Sequence, residues 1–219
     1  MRKRPDLLAG ENLPAAPQQR RSLEKRAKLK TAALALFGEK GYERTSIEEI
    51  ARRAKLAVGG FYLHFDSKRQ LLLALMDELL EKLSRLDLQP RNETNSSIQQ
   101  GLRSLLARAF SHDLRYLGAY RAWQEAVLSD PDLSKKQEAI HAWTTARAVS
   151  LFEALQRLPG ARNGVDILGL ARVMDSFFWS LLGQAAVSPK TKLNQSLDSA
   201  THLIHHALFT DSKVEPRRS

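Results

Sequence analysis

The chain has 219 residues, 43 % of them hydrophobic, and no cysteine, which excludes disulfide bonds and cysteine-based metal or redox chemistry. Its net charge is +10, and residues 1–70 hold 16 basic against 8 acidic side chains, so +8 of that charge lies in the first third. A basic end on a nearly neutral remainder is typical of a protein that contacts a polyanion there, most simply nucleic acid. An ordinary basic surface gives the same count, and charge alone does not separate the two.

Both ends of the chain are rich in polar residues and proline. Residues 1–19 form a predicted disordered basic tail, and residues 210–219 form a second disordered tail. The first residues lack the apolar stretch of a secretory signal, and the most apolar segment, 174–187, is too short to span a bilayer. We therefore expect a soluble, cytoplasmic protein that makes no membrane contact.

Apolar residues recur at helical spacing through almost the whole chain, and no segment alternates like a β-strand, so the predicted fold is all-α. In the N-terminal part, the pattern predicts helices over residues 22–39, 47–54, 58–65 and 68–86. Ser46 followed by Glu49 predicts a capping box at the second helix, and Ser67 with Gln70 predicts another at the fourth. The linker "DLQPRNETNSS" then places a module boundary near Pro90.

The C-terminal part is also helical. Its pattern predicts five further helices, over residues 96–111, 113–129, 134–158, 165–187 and 194–209, which brings the total to about nine. The stretches "SDPDLS" and "LPGARNG" mark clear breaks between them. The sequence thus predicts an N-terminal module over residues 20–88 and a larger helical module over residues 95–209.

Helices two and three are separated only by "KLA", the length of the tight turn in a helix-turn-helix, here over residues 46–65. A short helix pair is a weak signal, but "LFGEKGYERTSIEEIA" precedes this one and "FYLHFDSK" follows it. In that order and spacing, the strings resemble the DNA-binding domain of the TetR family of bacterial transcriptional regulators, from Ser22 to Leu83. The resemblance implies a DNA-binding domain over residues 20–88. Residues 95–209 resemble the family's effector-binding and dimerisation domain only in size and helical character.

The resemblance also implies which residues face DNA. In the family, the third helix enters the major groove, and the matching positions are Val58, Gly59, Gly60, Tyr62 and His64. Lys68, at the start of the fourth helix, matches a phosphate anchor.

Further candidates follow from the residues themselves. Thr45 and Ser46 place hydroxyl groups at a helix N-terminus, where backbone N–H groups and the helix dipole favour a phosphate; helix capping uses the same groups. The start of the first helix carries a basic cluster able to follow the DNA backbone or to reach into a minor groove: Arg20, Arg21, Lys25 and Arg26.

The recognition helix departs from the family pattern in three places. Lys55 stands where a turn glycine is common, Ala57 where an N-cap residue is common, and Gly60 where threonine often reads a base. Loss of the cap costs about 0.5–2 kcal/mol, and each glycine costs about 0.8–1 kcal/mol relative to alanine. We therefore predict an intrinsically weak recognition helix that Phe61 and Phe65 hold in place, with modest direct reading of bases and more specificity from DNA shape.

Two pairs of apolar residues are candidates for an effector pocket. Tyr120 and Trp123 are spaced i, i+3 on one helix, and Met174 and Phe178 are spaced i, i+4 on another. These four side chains either converge on an apolar pocket or simply pack in the core. Polar residues that could contribute to such a pocket are Arg121, Gln124 and His141.

The last two helices are the expected dimer interface, because the family pairs them with their symmetry mates and the first of them is apolar on more than one face. His202, His205 and His206 suggest a metal site, since His202 and His206 share a helix face, but the chain has no cysteine, and we expect exposed or interfacial histidines and no metal site. No catalytic motif is present, so neither a cofactor nor enzyme activity is expected.

The function that these observations favour is that of a homodimeric repressor that binds a palindromic double-stranded DNA operator and is released by a small apolar effector. One alternative is a DNA-binding protein without an inducer, architectural or dependent on a corepressor. A collapsed core around the four effector candidates would favour it. The other alternative is a helical carrier or enzyme of hydrophobic molecules with an incidental basic end.

Overall fold

The computed structural model describes residues 3–12, 14, 19–88, 95–185 and 190–209. Over these residues the chain is helical and has no β-strand, only an isolated bridge between Ala161 and Phe209. The all-α prediction is therefore confirmed. The helices are α1 Arg20–Lys40, α2 Ile47–Arg53, α3 Val58–Tyr62, α4 Lys68–Ser84, α5 Asn95–Asp113, α6 Leu117–Ala126, α7 Pro131–Gln156, α8 Ile167–Ala185 and α9 Lys190–Leu208, with a 3₁₀ turn at Leu114–Tyr116.

The helix ends differ from the predicted ones where a side chain or a proline sets the boundary. α7 begins at Pro131 instead of residue 134, because the Asp130 carboxylate accepts the N–H groups of Asp132 at 3.0 Å and Leu133 at 3.2 Å. α3 ends at Tyr62, three residues earlier than predicted. The predicted segment 113–129 splits into the 3₁₀ turn and the shorter α6.

One apolar core runs through both modules. The buried face of α1, which includes Leu29, Ala33 and Phe37, packs against α6 as well as against the helix-turn-helix. Contact between α1 and α6 is close because Gly118 has no side chain: a Cβ there would lie 1.9 Å from the carbonyl oxygen of Leu34. The N-terminal module is thus built onto the C-terminal one, and α6 is the helix that joins them.

A half-buried ion cluster reinforces this junction. The Glu78 carboxylate on α4 accepts hydrogen bonds from Lys30 on α1 at 2.5 Å, from Lys82 at 2.9 Å and from the Tyr116 hydroxyl at 2.8 Å. Burial alone would raise the pKa of Glu78, but these hydrogen bonds and charges lower it to about 2. Glu78 therefore stays ionised at neutral pH and connects α1, α4 and the 3₁₀ turn.

The segment 3–12, predicted as part of a disordered tail, instead packs on the helices. Leu7 is 1 % exposed, and its N–H donates to the Asp77 carboxylate at 3.2 Å. Arg4 pairs with the same carboxylate at 2.5 Å, and Lys136 on α7 donates to the carbonyl oxygen of Leu7 at 3.0 Å. The structure differs from the predicted disorder over residues 3–12, because the segment buries its own Leu7 and meets complementary charges at Asp77 and Lys136 on the surface that it crosses. The predicted tail at 210–219 lies outside the described residues.

Candidate nucleic-acid interface

The helix-turn-helix begins with a complete capping box. The Ser46 hydroxyl accepts the N–H of Glu49 at 3.3 Å, and the Glu49 carboxylate accepts the N–H of Ser46 at 3.0 Å. Thr45 was expected to offer its hydroxyl to a phosphate, but that hydroxyl donates to the carbonyl oxygen of Gly41 at 2.7 Å and the residue is 2 % exposed. In this geometry Thr45 fixes the turn between α1 and α2, and only Ser46 remains partly accessible at the helix end.

The recognition helix α3 is short, and its inner face is anchored in the core. Ala57 provides no side-chain cap, and Lys55 in the preceding turn has a φ of 58°, in the left-handed region that glycine usually occupies. Phe61 and Phe65 are fully buried, with ring centroids 5.9 Å apart, and they anchor the helix in the core. The outward face carries Tyr62, which is 49 % exposed.

The two glycines of α3 are required neither by backbone conformation nor by packing. Neither has a positive φ. A Cβ at Gly59 would meet nothing within 4 Å, and one at Gly60 would meet only the Cβ of Leu56 at 3.6 Å, an ordinary contact. Together with Val58 and Tyr62 they form an exposed surface without side-chain bulk at its centre, which allows another molecule to approach the helix backbone closely.

His64 does not lie on that surface. Its side chain is 2 % exposed, and Nδ1 is buried without a hydrogen-bond partner in the described structure. Burial and then the nearby charges of Arg26 and Lys25 lower the pKa of His64, which favours the neutral imidazole. The prediction that His64 presents its side chain to DNA is wrong for this conformation, because the residue lies at the end of α3, where the chain turns into the core.

Lys68 also has an internal role. Its ammonium group donates to the carbonyl oxygens of Tyr42 at 2.7 Å and Thr45 at 2.9 Å, and it lies 4.2 Å from the centre of the Tyr42 ring. Burial lowers the pKa of Lys68. Two of its three N–H groups hold the turn before α2, so its geometry differs from that of the free phosphate anchor that the resemblance implied.

The basic start of α1 lies beside the end of α3. The Arg26 guanidinium lies 4.6 Å from the centre of the Phe65 ring and donates to the carbonyl oxygen of His64 at 3.4 Å. Six residues earlier, the Arg20 side chain is 92 % exposed and pairs with Glu24 at 3.0 Å, and Lys25 is also exposed. Positive charge thus flanks the exposed surface of α3, as an interface with a polyanion requires.

Glu125 on α6 binds the turn before α2, where the helix-turn-helix begins. The sequence did not predict this contact. Its carboxylate accepts the N–H of Tyr42 at 2.6 Å and that of Glu43 at 3.3 Å. Gly41 makes room for it: the residue has a φ of 86°, and a Cβ there would lie 2.2 Å from a carboxylate oxygen. The neighbouring Arg121, a candidate pocket residue, instead donates to the carbonyl oxygen of Gly38 at 2.8 Å. A movement of α6 would therefore be transmitted directly to the turn before α2.

The four predicted effector residues lie in the packed core. Trp123 is 0 %, Met174 2 % and Tyr120 3 % exposed. Tyr120 packs edge to face on Trp179, and the half-buried Phe178 packs in the same way on Phe110. None of the four lines the open cavity described next, so the structure supports the core-packing interpretation of these residues.

A groove of about 790 Å³ opens between α7 and α8 instead. We call it the α7/α8 groove; its lining residues are His141, Ala142, Thr145, Ala146, Val149, Ser150, Leu168, Arg172, Asp175 and Ser176. Of the polar candidates from the sequence, only His141 takes part. The sequence analysis missed two charged groove residues, Arg172 and Asp175. A signal for them was present, because they are the only charged residues within the apolar helix α8.

A chain of hydrogen bonds leads from the groove into the core. The Trp123 indole N–H donates to the side-chain oxygen of Gln137, which directs the amide nitrogen of Gln137 towards Nε2 of His141 at 2.5 Å. Nε2 is thus the acceptor, and Nδ1–H of His141 faces the Asp175 carboxylate at 2.5 Å. Asp175 is only 8 % exposed. The wall of the groove is therefore connected to α6 through defined side chains.

Two further properties of the described part of the chain bear on function. It contains no group of three or more His, Cys, Asp or Glu side chains placed to hold a metal ion. None of its helices is long and apolar enough to cross a membrane.

Comparison with known proteins supports the helix-turn-helix assignment. Residues 29–75 match the family model "Bacterial regulatory proteins, tetR family". An uncharacterised HTH-type transcriptional regulator of Bacillus subtilis, YuxN, is 42 % identical over 59 residues, which is 27 % of this chain and 20 % of that protein. The negative regulator of the biofilm operon icaADBC in Staphylococcus aureus, IcaR, is 30 % identical over 88 residues, 40 % of this chain and 47 % of IcaR. These matches span between a fifth and half of the curated relatives.

Solved structures extend the likeness to the whole fold. SmeT, the repressor of the Stenotrophomonas maltophilia multidrug efflux pump SmeDEF, was solved in complex with triclosan. That structure superposes with a TM-score of 0.66 at 23 % identity and covers 86 % of this chain and 93 % of SmeT. The N-terminal part of this chain therefore carries a DNA-binding domain that matches the tetR family of bacterial regulatory proteins, and the chain shares the fold of SmeT over most of its length.

Proposed function

We propose that the protein is a sequence-specific transcriptional regulator, a repressor that binds operator DNA as a homodimer and is released by a small molecule. The observation that carries this proposal is the exposed face of α3, where Val58, Gly59 and Tyr62 project from a helix whose other side is locked into the core. Flanking basic residues on α1 supply the charge that DNA binding needs.

Some residues of this surface are placed to contact bases, and others are placed to contact the phosphate backbone. Tyr62 and Val58 supply a hydroxyl group and an apolar contact for base edges or phosphates, while Gly59 and Gly60 allow the helix to approach DNA closely. Ser46 at the start of α2, and Arg20 and Lys25 on α1, are placed to contact phosphates. Thr45, His64 and Lys68 maintain the position of these groups from inside the domain.

Dimerisation through α8 and α9 is supported by apolar side chains that the monomer leaves in solvent. Val173 on α8 is 66 % exposed and Leu203 on α9 is 59 % exposed. Ser180 lies two helical turns beyond Val173 on the same face and is small enough for close helix contact. A two-fold dimer would place two recognition helices in successive major grooves, about 34–36 Å apart. Val173→Glu should shift the protein from dimer to monomer in sedimentation experiments.

The repressor role is supported by the relatives. IcaR is a negative regulator and SmeT is a repressor. SmeT was also solved with a small molecule, triclosan, which favours a ligand-responsive C-terminal domain here.

One observation favours the alternative of a DNA-binding protein without an inducer: the core around Tyr120, Trp123 and Met174 is closed. The α7/α8 groove offers a different position for an effector, so we retain the ligand-responsive function as the first candidate.

The proposal is tested by selecting bound sequences from a random DNA library with the full chain and measuring affinity for the selected site by fluorescence anisotropy. Tyr62→Ala should weaken binding about tenfold or more, since it removes a hydroxyl and a ring from the interface. Leu128→Ala is the matched control, because Leu128 is 87 % exposed and belongs to the turn after α6, outside the helix-turn-helix. Affinity should also fall steeply with salt. If no sequence is enriched, or affinity is indifferent to both Tyr62→Ala and salt, the protein is not a DNA-binding regulator.

A further inference from the structure

The α7/α8 groove has an apolar wall along its α7 side. Ala142, Ala146 and Val149 are spaced i, i+4 and i+7, so their side chains form one strip along the helix. Leu168 of α8 also lines the groove and is 47 % exposed, so an apolar side chain there remains in contact with water. The volume of the groove, about 790 Å³, lies within the range of small-molecule sites. An elongated apolar body would cover this strip and remove Leu168 from water.

The charge that a molecule meets in the groove is positive. Arg172 is exposed, and among the described residues it forms no hydrogen bond or ion pair. The groove's carboxylate, Asp175, is 8 % exposed and already bonded by His141. An incoming anionic group would therefore find an unpaired guanidinium, while a cation would have to displace His141 before it reached Asp175.

The groove is also connected to the DNA-binding end. His141 contacts Gln137, which accepts the indole N–H of Trp123 on α6. Two residues further along α6, Glu125 holds the turn before α2. A ligand that moved His141 would disturb α6 and, through it, the position of the helix-turn-helix.

We propose that the α7/α8 groove binds an amphipathic carboxylate: the carboxylate pairs with Arg172, and the apolar chain lies along Ala142, Ala146 and Val149. The inference rests on the proposed function, in which the C-terminal domain carries the effector site, and it specifies the place and chemical class of that effector. It also moves the site away from the buried Tyr120 and Trp123.

The test uses three probes that share one apolar chain and differ in the head group: decanoate, 1-decanol and decyltrimethylammonium, each below its micelle concentration. Binding to the full chain is measured by isothermal titration calorimetry without DNA. Tryptophan fluorescence gives a second readout, because the His141 ring lies 5.1 Å from that of Trp179. Decanoate should bind most tightly. Arg172→Gln should weaken decanoate about tenfold and leave decanol within about twofold.

Two further variants separate the groove from the rest of the surface. Ala146→Phe fills the apolar strip and should weaken both decanoate and decanol, with circular dichroism to confirm that the helices remain. Arg157→Gln removes an exposed arginine at the end of α7, outside the groove, and should change neither affinity.

Equal binding of decanoate and decanol, tighter binding of the ammonium probe, or no binding of any probe would each overturn the inference. Failure here is distinguishable from failure of the proposed function, because operator binding is measured separately on the same protein. If the protein binds its selected DNA site but no probe binds, the regulator assignment stands and the groove assignment is wrong.

Discussion

Gly59→Ala adds one methyl group to the recognition helix, and we expect it to stabilise the free protein while weakening its binding to DNA. In the free protein the new Cβ would meet nothing within 4 Å, and the backbone of Gly59 is already helical. Alanine reduces the conformational freedom that the unfolded chain loses, which is worth about 0.5–1 kcal/mol. For a chain of this length, that corresponds to a rise in Tm of about 1–4 °C.

On DNA the sign reverses. If the helix backbone approaches the duplex closely at Gly59, the methyl group occupies the space of that contact. Forcing an extra methyl group into a close-packed site costs about 1–3 kcal/mol, which is roughly a tenfold loss of affinity or more. Stability and DNA affinity should therefore move in opposite directions in one variant.

Thermal unfolding and fluorescence anisotropy on the selected DNA site measure the two effects. Gly38→Ala in α1 is the matched control, because its Cβ would meet only the Cα of Gly118 on α6 at 3.7 Å, an ordinary contact that does not involve α3. It should stabilise the protein similarly and leave DNA affinity unchanged. If Gly59→Ala stabilises the protein and DNA affinity stays the same, α3 does not approach DNA through its glycines, and the assignment of this surface is refuted.

Three further outcomes are expected from the packing and the ion cluster. Leu7→Ala should lower the free energy of unfolding by about 2–3 kcal/mol and expose the N-terminal segment to proteases, whereas Leu23→Ala, at a residue 51 % exposed, should have little effect. Gly41→Ala should destabilise the protein more than Gly164→Ala in urea unfolding, since both residues have positive φ but only the first Cβ would strike a carboxylate of α6; equal losses would contradict that contact. Glu78→Gln should destabilise the protein at pH 7. The folded pKa of Glu78, about 2, lies below the unfolded value of about 4.3. The stability that the ionised Glu78 contributes is therefore complete above about pH 4.3 and is lost as the pH falls through about 2. The difference in free energy of unfolding between wild type and Glu78→Gln, measured in urea, should shrink as the pH is lowered.

Local patterns in the sequence predicted the helices and the start of the helix-turn-helix well. The Ser46 capping box depends on two residues three positions apart, and the structure contains both of its hydrogen bonds. The weak N-terminus of α3 followed from Ala57 and the two glycines, because caps and propensities are properties of short segments. The family's DNA-binding domain was recognisable for the same reason: its signature residues lie within one continuous stretch.

Side-chain exposure at the interface was less predictable. A motif places His64 and Lys68 near the recognition helix, but whether each faces solvent depends on what packs over it. Arg26, far away in sequence, donates a hydrogen bond to the carbonyl oxygen of His64. The ammonium group of Lys68 donates to carbonyl oxygens of the turn before α2 and is therefore already hydrogen-bonded. The same limit applies to the tail at 3–12, whose fixed position depends on Asp77 and Lys136.

The sequence alone determined that this protein is helical, that its basic end is a helix-turn-helix, and that the third helix has no capping side chain and carries two glycines, since each of these depends on residues close together in the chain. The tertiary structure decided which side chains of that module are free, that Glu125 of α6 holds the turn before α2, and that an accessible groove lies between α7 and α8 with Arg172 at its edge. These features join residues far apart in sequence, and only the packing of the helices against one another brings them together.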